Sequence, residues 1–177
     1  MLPQSHIGYT LLSYRLAQKW VPAARHADYR LLAVAAIVPD LLDKPLVLAT
    51  YHRWAATKLL AHTGLWHLLL LLFVFWRKPG WWPYALATNG HLLADALWHQ
   101  PRTLFWPGLG RHFHRRHPPG WPRTRLIDHL RHLLRTSRHR RARNLEIGGG
   151  LALLLFIWLA RLFHPGHLWR FLRTGRV

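Results

Sequence analysis

The sequence contains no cysteine. That excludes disulfides, thiolate metal ligands and a cysteine nucleophile. Any transition metal must then be held by imidazole and carboxylate. Acid is nearly as scarce. Six carboxylate side chains occur among 177 residues: Asp28, Asp40, Asp43, Asp95, Asp128 and Glu146. Asp40, Asp43 and Asp95 lie inside or beside apolar segments, where a charge needs a partner or a task. No Gly-rich phosphate loop, serine elbow or Cys-x-x-Cys is found. Residues 1–5 lack a basic leader and no small-residue cleavage site follows an apolar stretch, so no secretory signal peptide is expected. No internal repeat is evident.

What is abundant is apolar and basic. The chain is 51% hydrophobic, carries eleven tryptophans and has a formal net charge of +19. Its near-zero mean hydropathy averages very apolar blocks with very basic ones. A membrane protein with basic loops accounts for both, because cationic loops lie against anionic head groups and aromatic rings sit at the interface.

Periodicity predicts helices throughout. Residues 5–19 read as amphipathic, with Ile7, Leu11, Leu12, Tyr14 and Leu16 on one broad face. Residues 29–38 form a second apolar helix that should stop near Pro39. The 31–50 stretch is long enough to span a bilayer but is interrupted by Pro39-Asp-Leu-Leu-Asp-Lys-Pro45, as in broken helices that line protein cavities. Residues 59–76 are strongly apolar, with Trp81 and Trp82 as interfacial anchors beyond them. Residues 83–98 make a less apolar helix carrying Asn89, His91 and Asp95, closed by Pro101. Between residues 111 and 143 stand eleven arginines and six histidines against one acid, Asp128. A basic helix over about 124–137 suits a membrane surface. Residues 145–163 are the clearest spanning candidate. The positive-inside rule puts 111–143 in the cytoplasm and the basic tail outside, which requires a re-entrant segment or a weakly obeyed rule. The expected architecture is an all-α, polytopic membrane helical bundle with a broken helix at the Pro-Asp-Leu-Leu-Asp turn. It comprises a membrane-embedded metal-site region (1–110), a basic loop and surface helix (111–143) and a C-terminal hydrophobic helix with a basic tail (144–177), all in one domain.

Three constellations can carry chemistry. His91 and Asp95 are spaced i, i+4 and project from one helix face. They can bind zinc, manganese or iron, or simply hydrogen-bond across a helix contact. Asp40 and Asp43 follow a proline-terminated helix and can converge on one cation or cap the next segment. His62 opens the 59–76 helix and, like His6, is either a ligand or a packing residue. His67, five positions after His62, matches one face poorly and is left out. Together, charged groups on separate apolar helices tend to face inward and share an ion. Such a site can activate a water and orient a phosphoryl or acyl ester.

At these residues the sequence resembles the bacterial membrane-bound metal-dependent hydrolase family, of the LexA-regulated, inner-membrane-associated type. The matching stretches are His6-Ile-Gly8, Ala36-Ile-Val-Pro-Asp-Leu-Leu-Asp-Lys-Pro-Leu46, Ala61-His-Thr-Gly64, His91-Leu-Leu-Ala-Asp-Ala-Leu-Trp98 and Gln100-Pro-Arg-Thr-Leu-Phe-Trp-Pro-Gly-Leu-Gly110. They cover roughly residues 5–110 in order. Two departures stand out: Lys58 where an arginine is common, and Gly64 where a larger residue is usual. The resemblance implies a phospholipase-like, metal-dependent activity at the inner membrane. It marks His6, Asp40, Asp43, His62, His91 and Asp95 as metal or catalytic positions.

The leading expectation is therefore a multi-pass inner-membrane hydrolase of a phosphoester or ester such as a phospholipid. Its cofactor would be a divalent metal, zinc first, with manganese or iron as alternatives. The catalytic candidates are Asp40, His62 and Asp95, Asp40 or Asp95 serving as general base. Anionic membrane lipid is the expected partner of the basic segment. The alternatives are a non-catalytic membrane scaffold and, behind it, nucleic-acid binding through the arginine run, which supplies phosphate affinity but no recognised motif.

Overall fold

The chain is described by a computed structural model, which places residues 1–54, 56–114 and 140–177. Among these residues every regular element is helical. The α-helices are α1 (Pro3–Ala17), α2 (Tyr29–Ala35), α3 (Val38–Trp54), α4 (Gly64–Arg77), α5 (Trp82–Ala94), α6 (Pro101–Leu104), α7 (Arg140–Leu159) and α8 (Pro165–Thr174).

Local chemistry sets most boundaries. Asp28 caps α2, its side chain accepting from the Arg30 amide at 2.8 Å. The chain then breaks at Ala36 and Ile37 and re-enters a helix at Val38. The break thus precedes the Pro-Asp-Leu-Leu-Asp segment. Pro39 occupies the first turn of α3, where no intrahelical partner awaits its missing N–H. The expected broken helix at residues 39–43 is instead an intact helix start. Thr63 caps α4 through the Trp66 amide, so the predicted 59–76 helix divides into a 3-10 turn, Leu60–His62, and α4. Ala96, left-handed at φ 49°, ends the α5 turn that was predicted to run to residue 98.

α1 and α7 cross at glycine. A methyl on Gly8 would strike the Gly149 carbonyl, and one on Gly149 would strike Ser5. Glu146 of α7 reaches back to the start of α1, accepting from the Leu2 amide at 2.8 Å and from Ser5 Oγ at 2.5 Å. Beside this contact Leu11, Tyr29, Leu32, Ala87 and Phe156 form the main core. A smaller cluster holds Val47, Ala56, Leu59 and Phe113.

The expected polytopic bundle is not what the helices form. No described helix is long and apolar enough to cross a membrane. The most apolar, α4, has 14 residues; at 1.5 Å per residue that spans about 21 Å, against a hydrocarbon core of about 30 Å. α7 has 20 residues, but its sequence opens with arginines and carries Glu146 and three glycines. Apolar side chains are nevertheless widely exposed, among them Leu68, Leu72, Phe75 and Trp76 on α4 and Leu151, Leu154 and Trp158 on α7. The predicted basic helix at 124–137 lies outside the described residues.

Candidate metal centre

The break between α2 and α3 builds one wall of the site. Pro39 has no N–H for the Ala35 carbonyl four residues back. Thr88 Oγ1 of α5 donates to that oxygen at 3.1 Å. One residue on, the Ala36 carbonyl takes His91 Nδ1 at 2.8 Å. Two adjacent carbonyls freed by a helix break therefore orient two residues of α5 that lie one turn apart.

The second wall is the segment before α4. Asp43, 1% exposed, accepts from the amides of Leu59 at 2.6 Å and Ala61 at 2.9 Å. Its Oδ2 also meets His62 Nδ1 at 2.7 Å. Asp43 thus folds this segment onto α3 and fixes the His62 ring. It is a buried orienting group rather than a residue facing the centre.

Each Nδ1 faces an acceptor and donates its proton to it. The two Nε2 atoms lie 3.2 Å apart, within hydrogen-bonding distance of each other. A proton on one of the two nitrogens, or a cation bound by both, holds them at that distance. Burial, with His6 alongside, pushes His91 down to about 3, so the ring is neutral near pH 7. Two imidazoles on one tetrahedral zinc have their nitrogens about 3.4 Å apart.

The carboxylates complete the arrangement. Asp95 Oδ2 lies 3.7 Å from both Nε2 atoms. Asp40 Oδ1 lies 3.7 Å from His62 Nε2 and 3.9 Å from His91 Nε2. The two triangles share the His62–His91 edge. The centre of either lies about 2.1 Å from its corners, the length of a zinc–nitrogen or zinc–carboxylate bond. His6 stacks on His91 with ring centroids 3.9 Å apart. Its Nε2 is 3.3 Å from Asp95 Oδ1, out of line for a hydrogen bond, and both its ring nitrogens are buried without one. His6, Asp40 and His91 also offer atoms close enough to share an ion. The donor set of imidazole and carboxylate, its size and the orphaned His6 nitrogens all fit a divalent metal.

Cations already reach the rim. Lys58 Nζ is 2.6 Å from Asp95 Oδ2, the Met1 ammonium 3.0 Å from Asp95 Oδ1, and Lys44 Nζ 2.9 Å from Asp40 Oδ2. Burial opposes ionisation of Asp95, but the His6 contact and these two ammonium groups outweigh it and hold the carboxyl well below the usual range. At Asp40 burial is likewise outweighed, chiefly by Lys44, and the carboxyl is lowered.

All six sequence candidates, His6, Asp40, Asp43, His62, His91 and Asp95, meet in this cluster from four separate parts of the chain. Sequence reasoning missed Lys58 as a member of the site. The available signal was an isolated lysine in an apolar stretch. It also passed over His67, which is 2% exposed and bonds the Ala61 carbonyl at 3.1 Å.

Over the described residues, the fold and cluster define an all-helical protein with a buried polar centre and apolar outer faces. The profile of the YdjM inner membrane protein family matches residues 1–167, and the chain belongs to that family. This assigns it to the bacterial inner membrane. No curated protein and no solved structure gives a significant match.

Proposed function

We propose that the cluster is a divalent-metal centre and that the protein is a membrane-associated hydrolase of phosphoesters or esters, with phospholipid as the leading substrate class. The observation that carries this reading is the convergence of the His62 and His91 Nε2 atoms, 3.2 Å apart with their Nδ1 atoms engaged elsewhere, on Asp95 Oδ2 3.7 Å from both. His62 and His91 would hold the ion through Nε2, Asp40 through Oδ1 and Asp95 through Oδ2, with His6 beside them. Bound there, a divalent ion would supply Lewis acidity toward a water and a substrate oxygen.

The chain's own residues have separable tasks. Asp43 and the Ala36 carbonyl keep the two rings turned inward. Lys58 offers positive charge to a phosphoryl or carbonyl oxygen. Asp40 is the least buried of the three carboxylates, at 16% side-chain exposure, and where Asp95 and the two histidines alone hold the ion its Oδ1 would instead take a proton from a water as general base. A cavity of about 460 Å³ runs beside His6 between α1 and α5, lined by Tyr9, Ser13, Leu86, Leu93 and Trp98. That mixture suits an amphiphilic substrate, with apolar walls for its tail.

The direct test is metal analysis of detergent-purified protein, wild type beside His91→Ala and Asp95→Ala, together with release of product from phospholipid and from simple aryl esters. Stoichiometric metal in the wild type, lost in both variants, and metal-dependent turnover support the proposal. The ammonium groups on Asp95 favour a second reading, in which the cluster only staples helices of a scaffold. Metal-free protein whose stability is the same with and without chelator, in wild type and in His91→Ala, would select that alternative.

A further inference from the structure

At the other end of α1 lies a separate cavity of about 490 Å³. Arg15, Lys19, Arg25 and Arg176 line it together with Val177 and its terminal carboxylate, and its lining contains no aspartate or glutamate side chain. Among the described residues none of these four cations pairs with a carboxylate; the lysine and arginine ion pairs are Arg30–Asp28, Lys44–Asp40 and Lys58–Asp95. Arg15 reaches Gln18 Oε1 and Arg25 reaches the Gln18 carbonyl, each at a long 3.4 Å. Four like charges therefore share one concavity with weak internal partners.

A second observation concerns Tyr29. This side chain also lines the cavity and is 1% exposed; the Arg15 guanidinium lies against its hydroxyl as a donor, and the hydroxyl has no acceptor among the described residues. Burial pushes the phenol up to about 12, so it stays protonated and remains a donor. A buried hydroxyl is normally satisfied. Here the missing acceptor and the unpaired side-chain cations point to one ligand chemistry, an oxyanion that accepts from guanidinium, ammonium and phenol together.

We propose that this cavity binds a phosphate group, held by Arg15, Lys19, Arg25 and Arg176 and accepting from the Tyr29 hydroxyl. Nothing in it belongs to the metal centre. The neighbouring helix indicates where such a group would come from. α8 exposes Leu168, Trp169 and Leu172 beside Arg170 and Arg173. A basic amphipathic helix of this kind lies in the interface of an anionic membrane. A phospholipid head group and free phosphate share the recognised chemistry.

The experiment uses the full chain in neutral detergent and compares Arg15→Gln/Arg25→Gln with the distant pair Arg77→Gln/Lys78→Gln. Inorganic phosphate binding is read by calorimetry. Binding to phosphatidylcholine vesicles, with and without phosphatidylglycerol, is read by flotation. The cavity pair should weaken phosphate binding about tenfold, and the distant pair should leave it unchanged. Tyr29→Phe should weaken it by a smaller factor, since the hydroxyl would supply one donor among five groups. If phosphatidylglycerol dependence falls with the same pair, the ligand is a lipid head group. If only phosphate binding falls, the ligand is free phosphate. Equal losses in both pairs, or no phosphate binding by the wild type, overturn the site.

Discussion

Asp43 Oδ2 lies 2.7 Å from His62 Nδ1, and the same carboxylate accepts from the amides of Leu59 and Ala61. One side chain therefore sets both the loop and the ring. Asp43→Asn keeps the size but loses the charge that holds the imidazole proton. It should weaken divalent-metal affinity by about 10- to 100-fold, as loss of a group behind a ligand does. Thermal stability should fall by roughly 1–3 kcal/mol from the impaired amide bonds. Chelator-competition titration measures the first effect. Unchanged affinity would mean that Asp43 only folds the loop.

Lys58 and a metal ion would compete for Asp95 Oδ2, which Lys58 holds at 2.6 Å. Lys58→Met should therefore bind a divalent ion more tightly, by about tenfold, while hydrolysis falls if the ammonium contacts substrate. Affinity that drops in this variant would contradict the competition.

Burial depresses His67 to about 4, the Ala61 carbonyl opposing only in part. The folded value lies below that of the unfolded chain, about 6.5. The unfolded state therefore binds the proton first. Stability from this group is complete above pH 6.5 and is lost as pH falls toward 4, on the order of 3 kcal/mol in all. The thermal midpoint should drop across that window, and His67→Gln should flatten part of the drop. A midpoint independent of pH from 7 to 4, within the window given by the His67 shift, would refute the assignment.

Gly149 and Gly150 are neighbours with opposite expected responses. A methyl on Gly149 meets Ser5, whereas one on Gly150 meets nothing. Gly149→Ala should cost roughly 1–3 kcal/mol through overpacking of the α1–α7 crossing. Gly150→Ala should gain up to about 1 kcal/mol in a helix interior. Paired thermal melts would check the sign of each. Losses in both would mean the two helices do not cross where the structure puts them.

The six site residues were legible because imidazoles and carboxylates are rare inside apolar segments, so each stood out against its background. Their hierarchy was not. Nothing in the spacing of Asp40 and Asp43 says that one faces the centre and the other faces amides. The helix break was misplaced because proline stops a helix in its interior but is tolerated in the first turn, as at Pro39. His67 was set aside on a spacing that assumed one helix over 59–76, whereas Thr63 starts a new one. The expectation of spanning helices came from counting apolar residues along the chain. Folding divides that run, leaving 14 residues in α4.

Glu146 grips the amide of Leu2, across a sequence separation of 144 residues. α1, which delivers His6, thus rests on a helix from the far end of the chain. Contacts this distant in sequence close late, after local helices have formed. During synthesis the first histidine of the cluster is made long before the helix that supports its own. Completion of the cluster thereby waits for α7, and a fragment lacking that helix would hold Asp40, His62, His91 and Asp95 without a firm seat for His6.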